Sequence, residues 1–256
     1  MPLIGRMQRD KVVGLHPEVR ADNFTALDCD LCFYSFVRSL YHRYTVKRVL
    51  DYGGGRNRYE QDFNPDVDSC LIRDLRDLRF GSAEVTAVDI DPEVLSHPTS
   101  HHQHVLDASG KLPFEADAFD LIVSDYVFEH VDDASAVARE LQRVLRPGGW
   151  IAVRTPNRFG YLKLAASLVP NKWHDAVLGF VQPHRKTVDT FPTRYRLNSR
   201  ADIERHFDRC RVATITDSWE PAYFFGRPWL YRLFLVLHKV LPRKMGTASI
   251  FLLQKT

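Results

Sequence analysis

The residues best suited to chemistry in this chain stand where short apolar runs end. Val49 to Gly55 reads VLDYGGG, an apolar run followed by Asp51, an aromatic residue and the three glycines Gly53, Gly54 and Gly55. A backbone turning sharply off a buried strand needs φ values that a Cβ resists, and a main chain without side chains lets a ligand come close. Asp51 is then placed at the carboxyl end of a strand, where open α/β sheets bind their ligands. Two further acids repeat the placement: Asp89 near the end of VTAVDID, and Asp107 after a short run from His104 to Leu106. Each offers two oxygens that accept hydrogen bonds, and a solvated strand end is the plain alternative. A fourth run, FDLIVSDY, leads into VFEHVDD and sets Tyr126, Glu129 and His130 just past a strand. All three are eligible for proton transfer, with Asp125 and Tyr126 equally placed to line a pocket; for His130 the competing reading is a helix-start residue held for structure.

Metal chemistry finds less support. Cys29 and Cys32 form one Cys-x-x-Cys pair, but no second pair or nearby histidine completes a tetrahedral zinc set, and residues three apart are neighbours on one helix face. His97, His101, His102 and His104 make a histidine-rich loop without fixed geometry, so no metal is expected. The balance of 35 basic against 32 acidic residues leaves a formal charge of +3, which lacks the global field of a dedicated nucleic-acid binder. With 45% apolar residues in 256, the chain has material for one sizeable core. No stretch of about 18 apolar residues occurs and the first ten lack a signal-peptide core, so a cytoplasmic protein is expected.

The elements that must position these residues follow from periodicity. Phe24, Leu27, Leu31, Tyr34, Val37, Leu40 and Tyr41 recur at three and four residues, which predicts an amphipathic helix over Asn23 to Tyr44. Strands are predicted at Lys47 to Asp51, Val85 to Asp91, His104 to Leu106, through FDLIVSDY, and through WIAVRTP. Between the first two lie about thirty residues, more than a plain crossover helix needs, so an insertion is expected there, with LIRDLRDLRF as a short helix whose apolar side carries Leu71, Leu75 and Leu78. Ser135 to Leu145 is a helix stopped by Arg146-Pro147-Gly148-Gly149. Strands alternating with helices predict a parallel sheet covered on both faces.

Four of these segments, in order, carry a family resemblance. VLDYGGG resembles the D-x-G-x-G motif of class I S-adenosylmethionine-dependent methyltransferases, VTAVDIDP their second-strand acid, LPFEADAFDLIVSDYVFEHVDD their fourth-strand block and ELQRVLRPGGWIAVRTPN their fifth-strand block. The chain is similar to the small-molecule type that includes the quinone-biosynthesis methyltransferases. It departs from the pattern in the insertion between Gly55 and Val85 and in Arg56-Asn57, where small residues are commoner. A nicotinamide site is disfavoured because Arg58 stands where G-x-G-x-x-G requires its third glycine.

The resemblance implies a Rossmann-like fold, with a mostly parallel seven-stranded sheet, helices on both faces and an antiparallel last strand at the edge. It implies S-adenosylmethionine as cofactor: Gly53, Gly54 and Gly55 around its methionine part with Asp51 near the ammonium, Asp89 on the ribose hydroxyls, Ile90 on the adenine face, Asp107 and Ala108 beside the adenine, and Ser124 in the same cleft. It places Glu129, His130 and Tyr126 near the acceptor. Residues 1–256 are then one methyltransferase domain: a cofactor-binding core over 45–157, an acceptor-side insertion over 158–197, and C-terminal strands over 198–256. The implied activity is methyl transfer to an oxygen, nitrogen or carbon atom of a small metabolite, lipid-linked or sugar-like. The alternative is a methyltransferase-like fold that binds cofactor or a partner protein without catalysis. His184-Arg185-Lys186 and Tyr195-Arg196 are candidates to meet an anionic or sugar-like acceptor, with a solvated loop face as the other reading. Ser199 caps a helix, and VATITDS and SIFLLQK supply the sixth and seventh strands. Between them an amphipathic helix over 227–243 mixes Trp229, Leu230, Phe234, Leu237 and Leu241 with Arg227, Arg232, Lys239, Arg243 and Lys244. Its apolar face is expected to pack on the domain or a second subunit, with peripheral membrane contact as the rival use.

Overall fold

A computed structural model describes residues 6–107, 109–161, 192–221 and 226–256. Seven strands form one sheet: β1 (Arg48–Tyr52), β2 (Glu84–Asp89), β3 (His102–Val105), β4 (Phe119–Asp125), β5 (Leu145–Pro156), β6 (Cys210–Asp217) and β7 (Ala248–Lys255), in the order β3-β2-β1-β4-β5-β7-β6. The first five pair in parallel, and β7 runs antiparallel between β5 and β6. The antiparallel last strand is as expected, but it is not the edge: β6 is. Ile250, Phe251 and Leu253 of β7 are fully buried, so this strand needs cover on both faces, whereas β6 is only half-buried along most of its length.

Alternation along the strands divides the core. Leu50, Val88, Ile122 and Val153 face one layer with α5 (Ala134–Val144) and α6 (Arg200–His206), where Leu141 and Phe207 pack. Val49, Val85, Leu121 and Ala152 face the other with Phe33, Tyr34 and Val37 of α2 (Cys29–Arg43). Both layers are dry, as parallel strands require. Among the described residues no helix is long and apolar enough to cross a membrane.

Three boundaries and one helix face differ from the pattern-based expectation. The helix predicted from Asn23 begins at Cys29, after a short α1 (Val19–Asp22), because Asn23 turns left-handed at φ 46° and the Asp28 carboxylate caps the amide of Asp30. Arg9 holds that break, pairing with Asp28 and donating to the Asn23 carbonyl. The first crossover does contain an insertion, α3 (Arg58–Gln61) and α4 (Cys70–Arg76). In α4 it is Ile72, not the exposed Leu71, that turns inward, and the Asp22 carboxylate accepts from Ser69 Oγ and from the amides of Cys70 and Leu71. The second strand stops at Asp89 rather than Asp91, and Leu145 already pairs with Phe119, so β5 starts before the glycines of the predicted helix stop.

Candidate functional site

Parallel strands bring the ends of β1, β2 and β4 to one edge of the sheet. Past β1 the chain turns at Gly53 and Gly55, with φ of 78° and 53°. The Gly53 and Gly54 amides both donate to the Val88 carbonyl, at 2.8 and 3.3 Å, hooking the turn onto β2. A Cβ on Gly54 would lie 2.9 Å from Asp51 Oδ2, and one on Gly55 would meet nothing nearer than Asp89 Oδ2 at 3.8 Å. The first glycine makes room for the carboxylate, and the second borders open space.

Asp89 faces this turn. Its Oδ2 accepts from the Gly55 amide and its Oδ1 from the Asp91 amide, each at 2.9 Å. Burial raises the Asp89 carboxyl despite these amides, and every carboxylate oxygen keeps a lone pair for a ligand. Ile90 next to it is 60% exposed, a large apolar side chain left open beside two acids. Asp107 is exposed, and its carboxylate closes a local turn by accepting from the amide and hydroxyl of Ser109, which lowers its pKa. Ala108 lies outside the described residues.

The end of β4 is built differently. Arg154 on β5, 1% exposed, grips Asp125 with Nε and Nη2 at 2.7 Å each and also pairs with Asp30 of α2. Tyr34 Oη donates to Asp125 Oδ2 at 3.0 Å, and Arg76 of α4 lies 3.6 Å from the same oxygen. Burial alone would raise the Asp125 carboxyl, but Arg154 and Arg76 outweigh it and hold it below the usual range. Asp125 is therefore consumed by structure, and its equal standing with Tyr126 as a pocket group is corrected. Tyr126 takes a left-handed φ of 58°, donates its amide to the Arg154 carbonyl and lays its ring 4.8 Å from the Arg154 guanidinium. Burial pushes its hydroxyl well above the ordinary value, which makes it a poor base at neutral pH. Ser124 is fully buried, and its Oγ has no hydrogen-bond partner among the described residues.

Glu129, past the end of β4, has no arginine on its carboxylate among the described residues. It is 4% exposed, and burial pushes its carboxyl up to about 7. Thr155 Oγ1 donates to its Oε2 at 3.1 Å, and Asn198 Nδ2 donates in turn to that hydroxyl. The Glu129 carbonyl accepts from the Arg194 and Tyr195 amides, at 2.6 and 3.1 Å, which tie the returning chain to the site. His130 Nδ1 sits 3.1 Å from the Pro192 carbonyl and so carries the proton, leaving Nε2 3.9 Å from Glu129 Oε1. Beside this turn opens a cavity of about 900 Å3 lined by Asp132, Arg158, Arg194, Arg196 and Arg205 among others. Asp132 faces both Arg194 and Arg196. His184-Arg185-Lys186 lies outside the described residues.

Two groups escape a reading by sequence. His97, drawn there into a histidine-rich loop, is buried with Nε2 3.4 Å from Asp51 Oδ2. Its neighbours have separate tasks: the His101 ring accepts from the Val85 amide, His102 pairs with Glu84, and His104 meets Phe114 edge-on. Arg154 was legible in principle, since a charge inside an otherwise apolar strand has to find a partner; which partner was not. Cys29 and Cys32, both half-buried free thiols, sit one turn apart on α2.

Comparison with known proteins agrees with this architecture. The family model described as "Methyltransferase domain" matches residues 69–153, about a third of the chain and none of the glycine turn. A Mycobacterium tuberculosis protein described as a probable S-adenosylmethionine-dependent methyltransferase is 31% identical over 122 residues, 46% of this chain and 39% of that one. A ubiquinone/menaquinone biosynthesis C-methyltransferase of Desulfotalea psychrophila is 30% identical over 115 residues, 43% of this chain and 44% of its own. The chain thus spans less than half the length of these curated relatives. Among solved structures, a Thermotoga maritima protein described as an S-adenosylmethionine-dependent methyltransferase, possible histamine N-methyltransferase, superposes with a TM-score of 0.53 at 13% identity, covering 99% of both chains. That likeness extends over the whole fold.

Proposed function

We propose that this chain carries a class I S-adenosylmethionine-dependent methyltransferase domain and that it transfers a methyl group to an oxygen, nitrogen or carbon atom of a small metabolite that is lipid-linked or sugar-like. The observation that carries the reading is Asp89, held by two backbone amides with lone pairs to spare, beside the exposed Ile90 and the open space at Gly55. These residues fit the cofactor. Paired carboxylate oxygens suit the two ribose hydroxyls, Ile90 offers the adenine an apolar face, and Asp107 with Ala108 would flank its amine. Asp51 and the glycine turn would take the methionine end, where a carboxylate suits an ammonium group.

Bound S-adenosylmethionine supplies a methyl already activated on a sulfonium, so the protein's work is to align the acceptor and to take its proton where it holds one. Glu129 is the group for that proton. Burial pushes its carboxyl up to about 7, toward the range suited to a general base, and the Thr155 hydroxyl donates to it. Arg194 and Arg196, two guanidinium groups sharing one carboxylate, suit an acceptor that bears an anionic group. Calorimetry with S-adenosylmethionine and with its demethylated product tests the reading. Binding of both is expected, together with transfer of a labelled methyl to a component of a cell extract. Absence of binding for both would falsify it, and binding without transfer would favour a fold that holds cofactor without turnover.

A further inference from the structure

The helix α7 (Pro228–Val240) presents two faces of unlike character. One is anchored: Tyr231 is fully buried, its hydroxyl 3.0 Å from His16 Nε2, and Leu230 and Leu235 pack beside Val12 at the end of the N-terminal 3-10 turn. Among the described residues nothing covers the opposite face. Trp229, Leu233, Val236 and Val240 are 60%, 55%, 59% and 72% exposed. Their spacing of four, three and four residues gathers them into an arc of roughly 60° at 3.6 residues per turn, directly away from Tyr231. Of the expected apolar face, Leu230, Phe234, Leu237 and Leu241 are half-buried, and Trp229 alone belongs to the open ridge.

The segment that carries the ridge has charge of one sign, with Asp217 from β6 3.9 Å from Arg243. From Pro221 to Thr256 the chain contains no aspartate or glutamate, while Arg227, Arg232, Lys239, Arg243 and Lys244 surround the helix. Arg232 and Lys239 flank the ridge on one side, and both are exposed. A second copy docked by two-fold symmetry would set these cations against their own kind, with no acid of this segment to relieve them. An anionic lipid surface accepts both features at once, apolar side chains below the headgroups and cations among them.

The topology adds a reason for the placement. Ala248 pairs with Pro156, so the connection that leads into β7 sits at the carboxyl edge of the sheet, the edge that carries Asp89 and Glu129. Asn157 Nδ2 donates to the carbonyls of Lys244 and Gly246 at 2.8 Å, and Tyr161 Oη lies 2.6 Å from His238 Nε2, which fastens the helix to the end of β5.

We propose that α7 is a membrane-surface helix that seats Trp229, Leu233, Val236 and Val240 in the interface of an anionic bilayer and sets Arg232, Lys239, Arg243 and Lys244 against its headgroups. The surface would hold the cofactor edge near a lipid-dissolved acceptor, but the binding itself does not depend on the methyl-transfer reading.

The test is co-sedimentation of the full chain with vesicles of phosphatidylcholine alone or mixed equally with phosphatidylglycerol, at low and high salt. Binding is expected to the mixed vesicles at low salt, weakened by salt and absent from neutral vesicles. Val236→Asp should lower the partition at least tenfold, and Lys239→Gln about fivefold. An unchanged thermal unfolding midpoint in both variants establishes that the fold is intact. Trp229 emission should shift to the blue on binding, a shift missing from Trp229→Phe. Failure to sediment with the mixed vesicles overturns the proposal, as does binding that Val236→Asp leaves unaltered. So does a dimer in light scattering that Val236→Asp dissolves, since a second copy would then cover the ridge.

Discussion

At the tip of β2, Asp89 accepts hydrogen bonds from two backbone amides; at the tip of β4, Asp125 is gripped by Arg154, touched by Tyr34 and approached by Arg76. Amide partners are neutral, so they orient Asp89 without cancelling its charge. Cationic partners neutralise Asp125 and fill its lone pairs. Two aspartates in like sequence settings, each after a run of strand residues at the same sheet edge, thus serve different ends. The first is exposed to a ligand's demand and the second is part of the scaffold. On the proposed reading the proton chemistry on the acceptor side is left to Glu129, whose carboxylate accepts from the Thr155 hydroxyl.

The comparison can be broken most forcefully at Arg154. Arg154→Met should destabilise the fold by about 3–5 kcal/mol, because Asp125 and Asp30 would stay buried without their cation. Urea unfolding measures this, and a loss under 1 kcal/mol would mean that the grip on Asp125 is not structural. Glu129→Gln should do the reverse. Its carboxyl titrates near 7 when folded, against an ordinary value of 4.5. Below the lower value both states are protonated and nothing is lost. Between the two, only the unfolded chain releases its proton, so the wild type loses stability as pH rises, and above 7 the penalty is constant. The variant should therefore be more stable at pH 8 by on the order of 2–3 kcal/mol, while methyl transfer to an acceptor that must lose a proton falls. Equal stability across the pH range would remove Glu129 from the role of a strained acid.

On the cofactor side the effects are smaller and appear in binding. Asp89→Ala should weaken affinity for the demethylated cofactor by about 2 kcal/mol, roughly thirtyfold, through loss of the paired acceptor oxygens. Unaltered calorimetric affinity would displace Asp89 from the site. The smallest effect is expected where α7 is anchored: Tyr231→Phe removes the contact with His16 and should cost about 1 kcal/mol in unfolding experiments, without altering cofactor affinity.

Periodicity located all seven strands and the helices α2, α4, α5, α6 and α7, because burial on one face or both imposes a spacing that survives in any context. Boundaries failed where a distant residue intervened. Asn23 to Asp28 carries the same apolar spacing as the helix that follows, yet Arg9 and the Asp28 cap make the helix begin only at Cys29. The glycine turn was legible as a turn, and its hydrogen bonds to Val88 were not, since they require β2 to lie beside β1.

By itself the sequence determined the order of strands along the chain, the acids at the ends of β1, β2 and β4, and through four motifs the family resemblance, all of which are local patterns of residue type. The three-dimensional arrangement decided which acids are free. Asp89 and Asp125 cannot be distinguished by their neighbours in the chain, because what separates them is Arg154, Tyr34 and Arg76, brought from β5, α2 and α4. It also decided which face of α7 remains open, since Tyr231 is buried by His16 and Val12 from the opposite end of the chain. An electrostatic environment is a sum over groups near in space, and only folding sets that sum.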